Sequence, residues 1–301
     1  MFVSVVLPTY DRASVLGGAI ESVLAQTHEE FELLVVDGGS TDGTPEVVSS
    51  FDDDRIRYRR RDEREGVSAA RNTGIEAAEG EAVAFLDSDD RWHPEKLARQ
   101  VAALAEGGDD CGVVYTGIVK ADADGEPLSR SGASGDVREE IRTLSVPTYT
   151  STLLARRDAL RACGGFDERL GCFEDWDLCL RLARDWRFEY VDAPLVAKGT
   201  DTANVSADPD RLARAVRRIF EKHDLPDAAR AQFLADAGKT HCEAGRLADA
   251  RPYLRRALAL DVRPLAAAAY ALSLTDSPAA YDAGMAAVNT VERRFSESTG
   301  D

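Results

Sequence analysis

The run AVAFLDSDDRWHP, residues 82–94, constrains this chain more than any other stretch. Residues 82–86 are apolar and suit a buried strand, and they end at once in Asp87, Ser88, Asp89 and Asp90. Three carboxylates within four residues repel one another unless a cation or basic group neutralises them. Clustered oxygen ligands at the mouth of a sheet suit a divalent metal, Mn²⁺ or Mg²⁺, and behind the metal a phosphate. The competing reading is a strand-to-helix turn, with Asp89 or Asp90 capping a helix that starts near Pro94.

The flanking pattern supplies the sheet. Apolar runs at residues 2–7 and 31–36 alternate with helical spacing at 13–26, where Val15, Leu16, Ala19, Ile20, Val23 and Leu24 share a face. A helix is expected at 44–51, a short strand at 56–58 and a helix at 67–78. Strands separated by helices imply crossovers and a parallel sheet covered on both faces. In such sheets ligands collect beyond the carboxyl ends of the strands. Residues 9–11, Asp37 and residues 87–90 each follow a strand, so three polar clusters converge on one rim. Downstream the pattern gives a strand at 112–120, a loop or irregular hairpin at 121–138, a helix at 174–186 and a strand at 188–191. Residues 200–210 read as a linker, and the chain is helical from Arg211 onward. The expected fold class is α/β, with a mixed, mostly parallel central sheet, helices on both faces and an all-α extension. The expected division is 1–205 and 206–301.

Charge narrows the partners. The chain has 37 basic and 54 acidic residues, a formal charge of −17, which argues against a nucleic-acid surface and against electrostatic docking on anionic lipid. Lysine occupies only five positions, and this acidic, lysine-poor, alanine-rich composition suits a salt-adapted (halophilic) cytoplasm. No apolar stretch approaches the roughly 20 residues that span a bilayer. The first residues carry no basic leader and no cleavage site, so no signal peptide is expected. Five cysteines without a CxxC pair read as reduced, packed thiols. The expected location is the cytoplasm, with peripheral contact at the inner face of the membrane left open.

VSVVLPTYDR, LLVVDGGSTDGT, GVSAARNTGIEAAEGEAVAFLDSDD, GGFDE and FEDWDLCLRL occur in the order and spacing of family 2 glycosyltransferases. The chain resembles inverting members of that family, with the A-type nucleotide-sugar-binding fold, over residues 1–205. The resemblance implies a divalent metal on Asp89, with Asp87 against the ribose and helping to position the metal, Ser88 between them, and Asp90 one layer behind. It implies Asp175 as the general base that takes the acceptor proton, with Glu174 shaping the acceptor pocket. First-turn acids favoured by a helix dipole are the plainer reading of both. Pro8, Thr9, Tyr10 and Asp11 would hold base and ribose, Asp37 would recognise the base, and Arg71 would pair with the acidic nucleotide site. Trp176 lines the acceptor side or belongs to the core. Two departures stand out. Gly38 replaces a second acid common in the family, and the segment after the last core strand offers Lys198 in place of a histidine. Gly164 and Gly165 lie in a turn beneath the acceptor site and serve backbone geometry.

In the helical tail, Ala237, Gly238, His241, Ala250, Leu254 and Ala257 resemble the spacing of one tetratricopeptide unit, with His241 a packing residue. The expected function is transfer of a sugar from a nucleotide-sugar donor to a glycan, a polyprenyl phosphate or a small molecule. The alternatives are a non-catalytic glycan-binding scaffold and a sugar nucleotidyltransferase. The latter should carry an early glycine-rich, basic phosphate loop, and PTYDR stands there instead.

Overall fold

The computed structural model describes residues 1–62, 65–120, 128, 132–199 and 208–299, with side chains to residue 290. The chain divides into two compact units, Met1–Ala203 and Asn204–Asp301.

The first unit opens with β1 (Val3–Thr9), α1 (Ala13–Leu24), β2 (Phe31–Asp37), α2 (Thr44–Ser49), β3 (Ile56–Arg60), α3 (Val67–Ala77) and β4 (Ala82–Phe85). β1, β2 and β4 are buried along their whole length. Both faces are covered, which is why these strands read as continuous apolar runs rather than alternating ones. β1 pairs in parallel with β2 on one side and β4 on the other, and its register sets Thr9 beside Asp37 and Val6 beside Phe85. The carboxyl ends of the three strands therefore share a rim. The polar exceptions in the core are paired: Ser4 Oγ donates to Glu32 Oε1 at 2.6 Å, and Arg57 Nη1 reaches Glu32 Oε2 at 2.6 Å.

Then follow β5 (Arg91–Trp92), α4 (Lys96–Glu106), β6 (Cys111–Lys120), α5 (Arg138–Arg142), a 3₁₀ turn at Thr150–Thr152, β7 (Leu154–Arg156), α6 (Arg157–Ala162), α7 (Glu174–Leu182) and β8 (Arg187–Lys198). The eight strands run in the order β3-β2-β1-β4-β7-β6-β8-β5. β7 is antiparallel to both β4 and β6, while β6 and β8 are parallel. The pattern missed β7 because three residues cannot display a period. It also stopped the last strand at 191; β8 runs on to Lys198, with register shifts about Gly117 that carry it past Pro194. Neither Asp89 nor Asp90 caps α4, whose N-cap is Glu95 and has no side-chain cap bond. None of the five cysteines is in a disulfide. Much of the expected loop at 121–138 and of the linker at 200–210 lies outside the described residues.

The second unit holds α8 (Pro209–Lys222), α9 (Asp227–Glu243), α10 (Leu247–Leu260), α11 (Pro264–Ser273) and α12 (Pro278–Thr299). Asp208 caps α8 by accepting from the Asp210 and Arg211 amides. α9 and α10 pack closely because Gly238 has no side chain: a Cβ there would lie 2.6 Å from Leu254 Cγ. Cys242, Leu247, Ala250, Leu254, Ala269, Tyr281 and Met285 form a core for this unit. His241 is buried and stacks on Tyr253, with ring centroids 5.2 Å apart. Among the described residues, no helix is long and apolar enough to cross a membrane.

α3 approaches β1 through Gly74, where a Cβ would stand 2.3 Å from Val6 Cγ1. Gly74→Ala should lower the urea midpoint, because overpacking costs about 1–3 kcal/mol against roughly 1 kcal/mol gained in helix propensity. Gly74→Ala combined with Val6→Ala should be more stable than the two single effects added together, since the methyl then has room. Strict additivity in this cycle would show that the two residues do not meet.

Candidate active site

Arg71 organises the rim. It stands on α3, is 3 % exposed, and donates from Nη2 to Asp87 Oδ1 at 2.6 Å and from Nη1 to Glu174 Oε1 at 2.9 Å. Its guanidinium lies 5.1 Å from the Phe166 ring centroid, and Phe166 meets Phe85 edge-on. One cation thus joins the residues after β4 to the head of α7. Next to it, Asn72 Oδ1 accepts from the Phe166 amide at 2.8 Å and Asn72 Nδ2 donates to the Phe166 carbonyl at 3.0 Å, clasping the GGFDE turn to α3. Gly165 sits there at φ +67, and a Cβ would strike Asn72 Oδ1 at 2.5 Å. From the other side Arg181 on α7 donates to the Cys163 and Gly165 carbonyls.

The three acids after β4 have separate surroundings. Burial acts to raise the Asp87 carboxyl, but the Arg71 guanidinium more than reverses this and holds it below the usual range. Asp90 turns away from the rim, is 1 % exposed, and accepts from Ser151 Oγ at 2.6 Å and from the Gly199 amide at 2.9 Å. Burial and the Asp87 charge push it up to about 6. Asp89 is half-buried, and its carboxylate accepts no hydrogen bond from the described residues. Ser88 is buried within the loop. The Lys198 ammonium, at the end of β8, is desolvated, yet Asp90, Asp87, Asp89 and Asp175 together raise its pKa.

The donor set fits a divalent cation only in part. No group of three or more His, Cys, Asp and Glu able to hold a metal forms among the described residues. Asp89 and the second oxygen of Asp87 remain available. Mg²⁺-type ions take one or two carboxylates and complete their shell with water and substrate phosphates rather than an all-protein cage. Two carboxylates beside Lys198 therefore fit a metal that arrives with a diphosphate.

Asp175 forms no ion pair with a described residue. It is half-buried at the first turn of α7, and Oδ1 accepts the Trp176 amide at 2.7 Å. Burial, and then the neighbouring Glu174 charge, raise it to about 7. The preceding Phe173 holds φ at 64°, left-handed backbone that a bulky residue adopts at a cost. Trp176 belongs to the core: it is 3 % exposed and donates from Nε1 to the Ile141 carbonyl at 2.8 Å.

At the nucleotide end, Asp37 is fully buried and already engaged. Its Oδ1 accepts the Ser40 amide and hydroxyl at 2.8 and 2.6 Å, and Oδ2 accepts the Tyr58 hydroxyl. Burial and Asp37 raise the Tyr58 pKa. Asp11, at φ 49°, accepts the Thr41 amide at 2.7 Å and donates its own amide to Ser40 Oγ at 2.9 Å. Pro8 pairs with Val36 inside the sheet. The Thr9 hydroxyl is buried without a hydrogen-bond partner among the described residues. Tyr10 lies beside Gly38, where a Cβ would be 3.5 Å from its ring. The structure thus gathers Asp87, Asp89, Asp90, Arg71, Glu174, Asp175 and Lys198 into one electrostatic group, while Thr9, Asp11 and Asp37 cluster about Ser40 and Thr41. Sequence reasoning missed Ser151, Asn72 and Tyr58. Each lies far along the chain from its partner, and each has a residue type that carries no signal of its own.

A mixed sheet whose rim gathers an acid loop, a buried arginine and a half-buried carboxylate has the architecture of the A-type glycosyltransferases. S. aureus TarS (1–349) in complex with UDP-GlcNAc shares the fold at TM-score 0.63 and 20 % identity, covering 96 % of this chain and 92 % of that one. The mannosyltransferase PcManGT from Pyrobaculum calidifontis, in complex with GDP-Man and Mn²⁺, shares it at TM-score 0.59 and 21 % identity over 96 % and 86 %. Residues 4–164 match Glycosyl transferase family 2, and the chain belongs to that family. It is 38 % identical over 130 residues to a putative teichuronic acid biosynthesis glycosyltransferase, TuaG, of Bacillus subtilis, covering 42 % of this chain and 51 % of that protein. It is 40 % identical over 102 residues to the Escherichia coli UDP-Glc:alpha-D-GlcNAc-diphosphoundecaprenol beta-1,3-glucosyltransferase WfgD, covering 34 % and 40 %. The chain spans about half or less of the length of the first of these curated relatives.

Removing Arg71 leaves two acids around an empty space. Arg71→Met should cost about 2–4 kcal/mol in chemical unfolding at neutral pH, discounted because Asp87 is partly exposed. Protonating the acids relieves their repulsion, so the deficit should shrink as pH falls below the carboxylate range. A deficit that does not change with pH would mean the loss is one of packing.

Proposed function

We propose that this chain is an inverting, metal-dependent glycosyltransferase that moves a sugar from a nucleoside-diphosphate donor to an acceptor hydroxyl in glycan or glycolipid assembly. The carrying observation is the contrast between Asp87, held anionic by Arg71, and Asp175, raised to about 7. Carboxylates driven apart in this way divide the work of charge binding and proton transfer. The name of WfgD, and the sugar-nucleotide complexes of the two solved structures of similar fold, support a nucleotide-sugar donor.

Asp89 and Asp87 would hold a divalent cation, which would supply charge neutralisation for the leaving group. Lys198 adds a second positive charge at the same place. Thr9, Tyr10, Asp11 and Asp37 define the nucleoside end. With Asp37 saturated by Ser40 and Tyr58, Asp37 shapes this pocket more than it reads the base. Glu174, fixed by Arg71, walls the acceptor side, and Asp175 faces the acceptor hydroxyl. The acceptor oxygen bonds to the anomeric carbon, and the bond from that carbon to the diphosphate oxygen breaks. The nucleoside diphosphate leaves with the electron pair, and the hydroxyl proton passes to Asp175. One displacement with one base inverts the anomeric centre. The acceptor is a glycan, a polyprenyl-linked sugar or a small molecule, or else a polyprenyl phosphate, which would attack as an anion without needing Asp175 as base; a lipid-linked acceptor would place the reaction at a membrane surface.

Asp89→Ala should remove Mn²⁺-dependent binding of UDP and GDP in calorimetry while leaving the unfolding transition intact. Unchanged binding would overturn the metal assignment.

Asp175→Asn should lower turnover about 10²- to 10⁴-fold with little change in donor affinity. The pH dependence follows from the sign of the shift. Below about 7 Asp175 is protonated and cannot accept a proton, so kcat/KM in the wild type should rise with pH through that value and then level. In Asp175→Asn the rise should vanish. An unaltered profile, or a product that retains the donor's anomeric configuration, would refute the mechanism.

A further inference from the structure

Ser151 sits in the 3₁₀ turn ahead of β7 and is 1 % exposed. Its single hydroxyl bridges two parts of the acid loop. Oγ accepts the Asp87 amide at 3.0 Å and donates its only proton to Asp90 Oδ2 at 2.6 Å. A hydroxyl has one donor and can accept at the same time, so both bond directions are fixed. The other Asp90 oxygen accepts the Gly199 amide at 2.9 Å, which ties down the residue after Lys198. The two segments touch so closely that a Cβ on Gly199 would lie 2.1 Å from the Asp89 carbonyl oxygen.

Ser151 is itself held. Its carbonyl accepts Trp92 Nε1 at 2.9 Å, and the next carbonyl, of Thr152, accepts Gln100 Nε2 at 2.8 Å. Gln100 Oε1 in turn accepts the buried Lys96 ammonium at 2.6 Å, and that ammonium lies 3.9 Å from the Trp92 ring centroid. The turn is therefore anchored to β5 and α4 as well as to the acid loop.

We infer that Ser151 is a positioning residue of the donor site: its hydroxyl fixes the acid loop and orients Asp90, whose other oxygen fastens the loop to the end of β8, so that Asp87, Asp89 and Lys198 meet one diphosphate as a set. This rests on the nucleotide-donor reading above. It explains why the third acid of the run faces inward: Asp90 is the joint between Ser151 and Gly199, not a ligand. Without the hydroxyl the Asp87 amide loses its acceptor and Asp90 keeps one donor, and both changes fall on the backbone that aims Asp87 and Asp89.

The test compares wild type, Ser151→Ala, Ser151→Thr and Ser151→Cys of the full chain. Binding of UDP and GDP is titrated against Mn²⁺ by calorimetry, with thermal unfolding recorded without ligand. Removing groups that orient metal ligands typically costs 10- to 100-fold in metal affinity. Ser151→Ala should fold, bind Mn²⁺–nucleotide that much more weakly, and exchange its Asp87 and Gly199 amide protons faster. Ser151→Thr, which keeps the hydroxyl, should recover most of the affinity. Ser151→Cys fills the volume with a poor hydrogen-bonding group and should fall between. Wild-type affinity in a folded Ala or Cys variant overturns the inference. So does failure of both to fold, which would make Ser151 a packing residue of the core. Absence of Mn²⁺-dependent binding in the wild type would instead overturn the donor reading itself.

Discussion

The ion pairs of Arg71 are the interaction on which the rest of the site depends. A guanidinium 3 % exposed is stable only with its charge matched, and here Asp87 and Glu174 match it from two elements far apart in sequence. The net gain from such pairs is small, because desolvation cancels most of the attraction, but leaving one member unpaired is costly. Arg71 therefore acts as a constraint more than as a source of stability. It forces the head of α7 against the loop after β4, and it takes up the charge of two acids. Asp175, next in the chain to Glu174, gains no ion pair from Arg71, and burial together with the Glu174 charge raises its proton affinity.

The same economy governs the acid loop. Three acids crowded after a buried strand repel unless each is answered separately. Asp87 is answered by Arg71, Asp90 by Ser151 and Gly199, and Asp89 by no hydrogen bond among the described residues. Backbone strain sits in the same places: Asp11 and Phe173 hold positive φ beside the nucleotide end and Asp175. Strain of this kind persists where surrounding contacts over-determine it. At Asp11 those contacts are the bonds with Ser40 and Thr41.

The strands and helices of the first ninety residues were legible because both signals they rest on are local. A strand buried on both faces is a short apolar run, and the helices between carry a 3.6-residue period. The three carboxyl-terminal clusters were legible for the same reason, since a parallel sheet puts all strand ends on one rim. β5 and β7 were not legible. They are two and three residues long, and they exist because longer neighbours offer them hydrogen-bonding edges. The extension of β8 to Lys198 belongs with them: it follows from the bulged pairing with β6, which a polar, proline-containing segment does not announce.

The alternation of the sheet, the acid loop, the pair Glu174–Asp175 and the membership of a family whose motifs come in a fixed order are all written in adjacent residues and could be read there. Tertiary contacts set the surroundings of each group. Arg71 could have been a surface arginine on α3, Trp176 could have lined a pocket, and Asp90 could have been a ligand. Burial and partners drawn from distant segments made Arg71 a paired buried charge, Trp176 a core residue and Asp90 a buried acceptor of Ser151 and Gly199. Those assignments depend on long-range distance and dielectric environment, and neither is a property of any short stretch of chain.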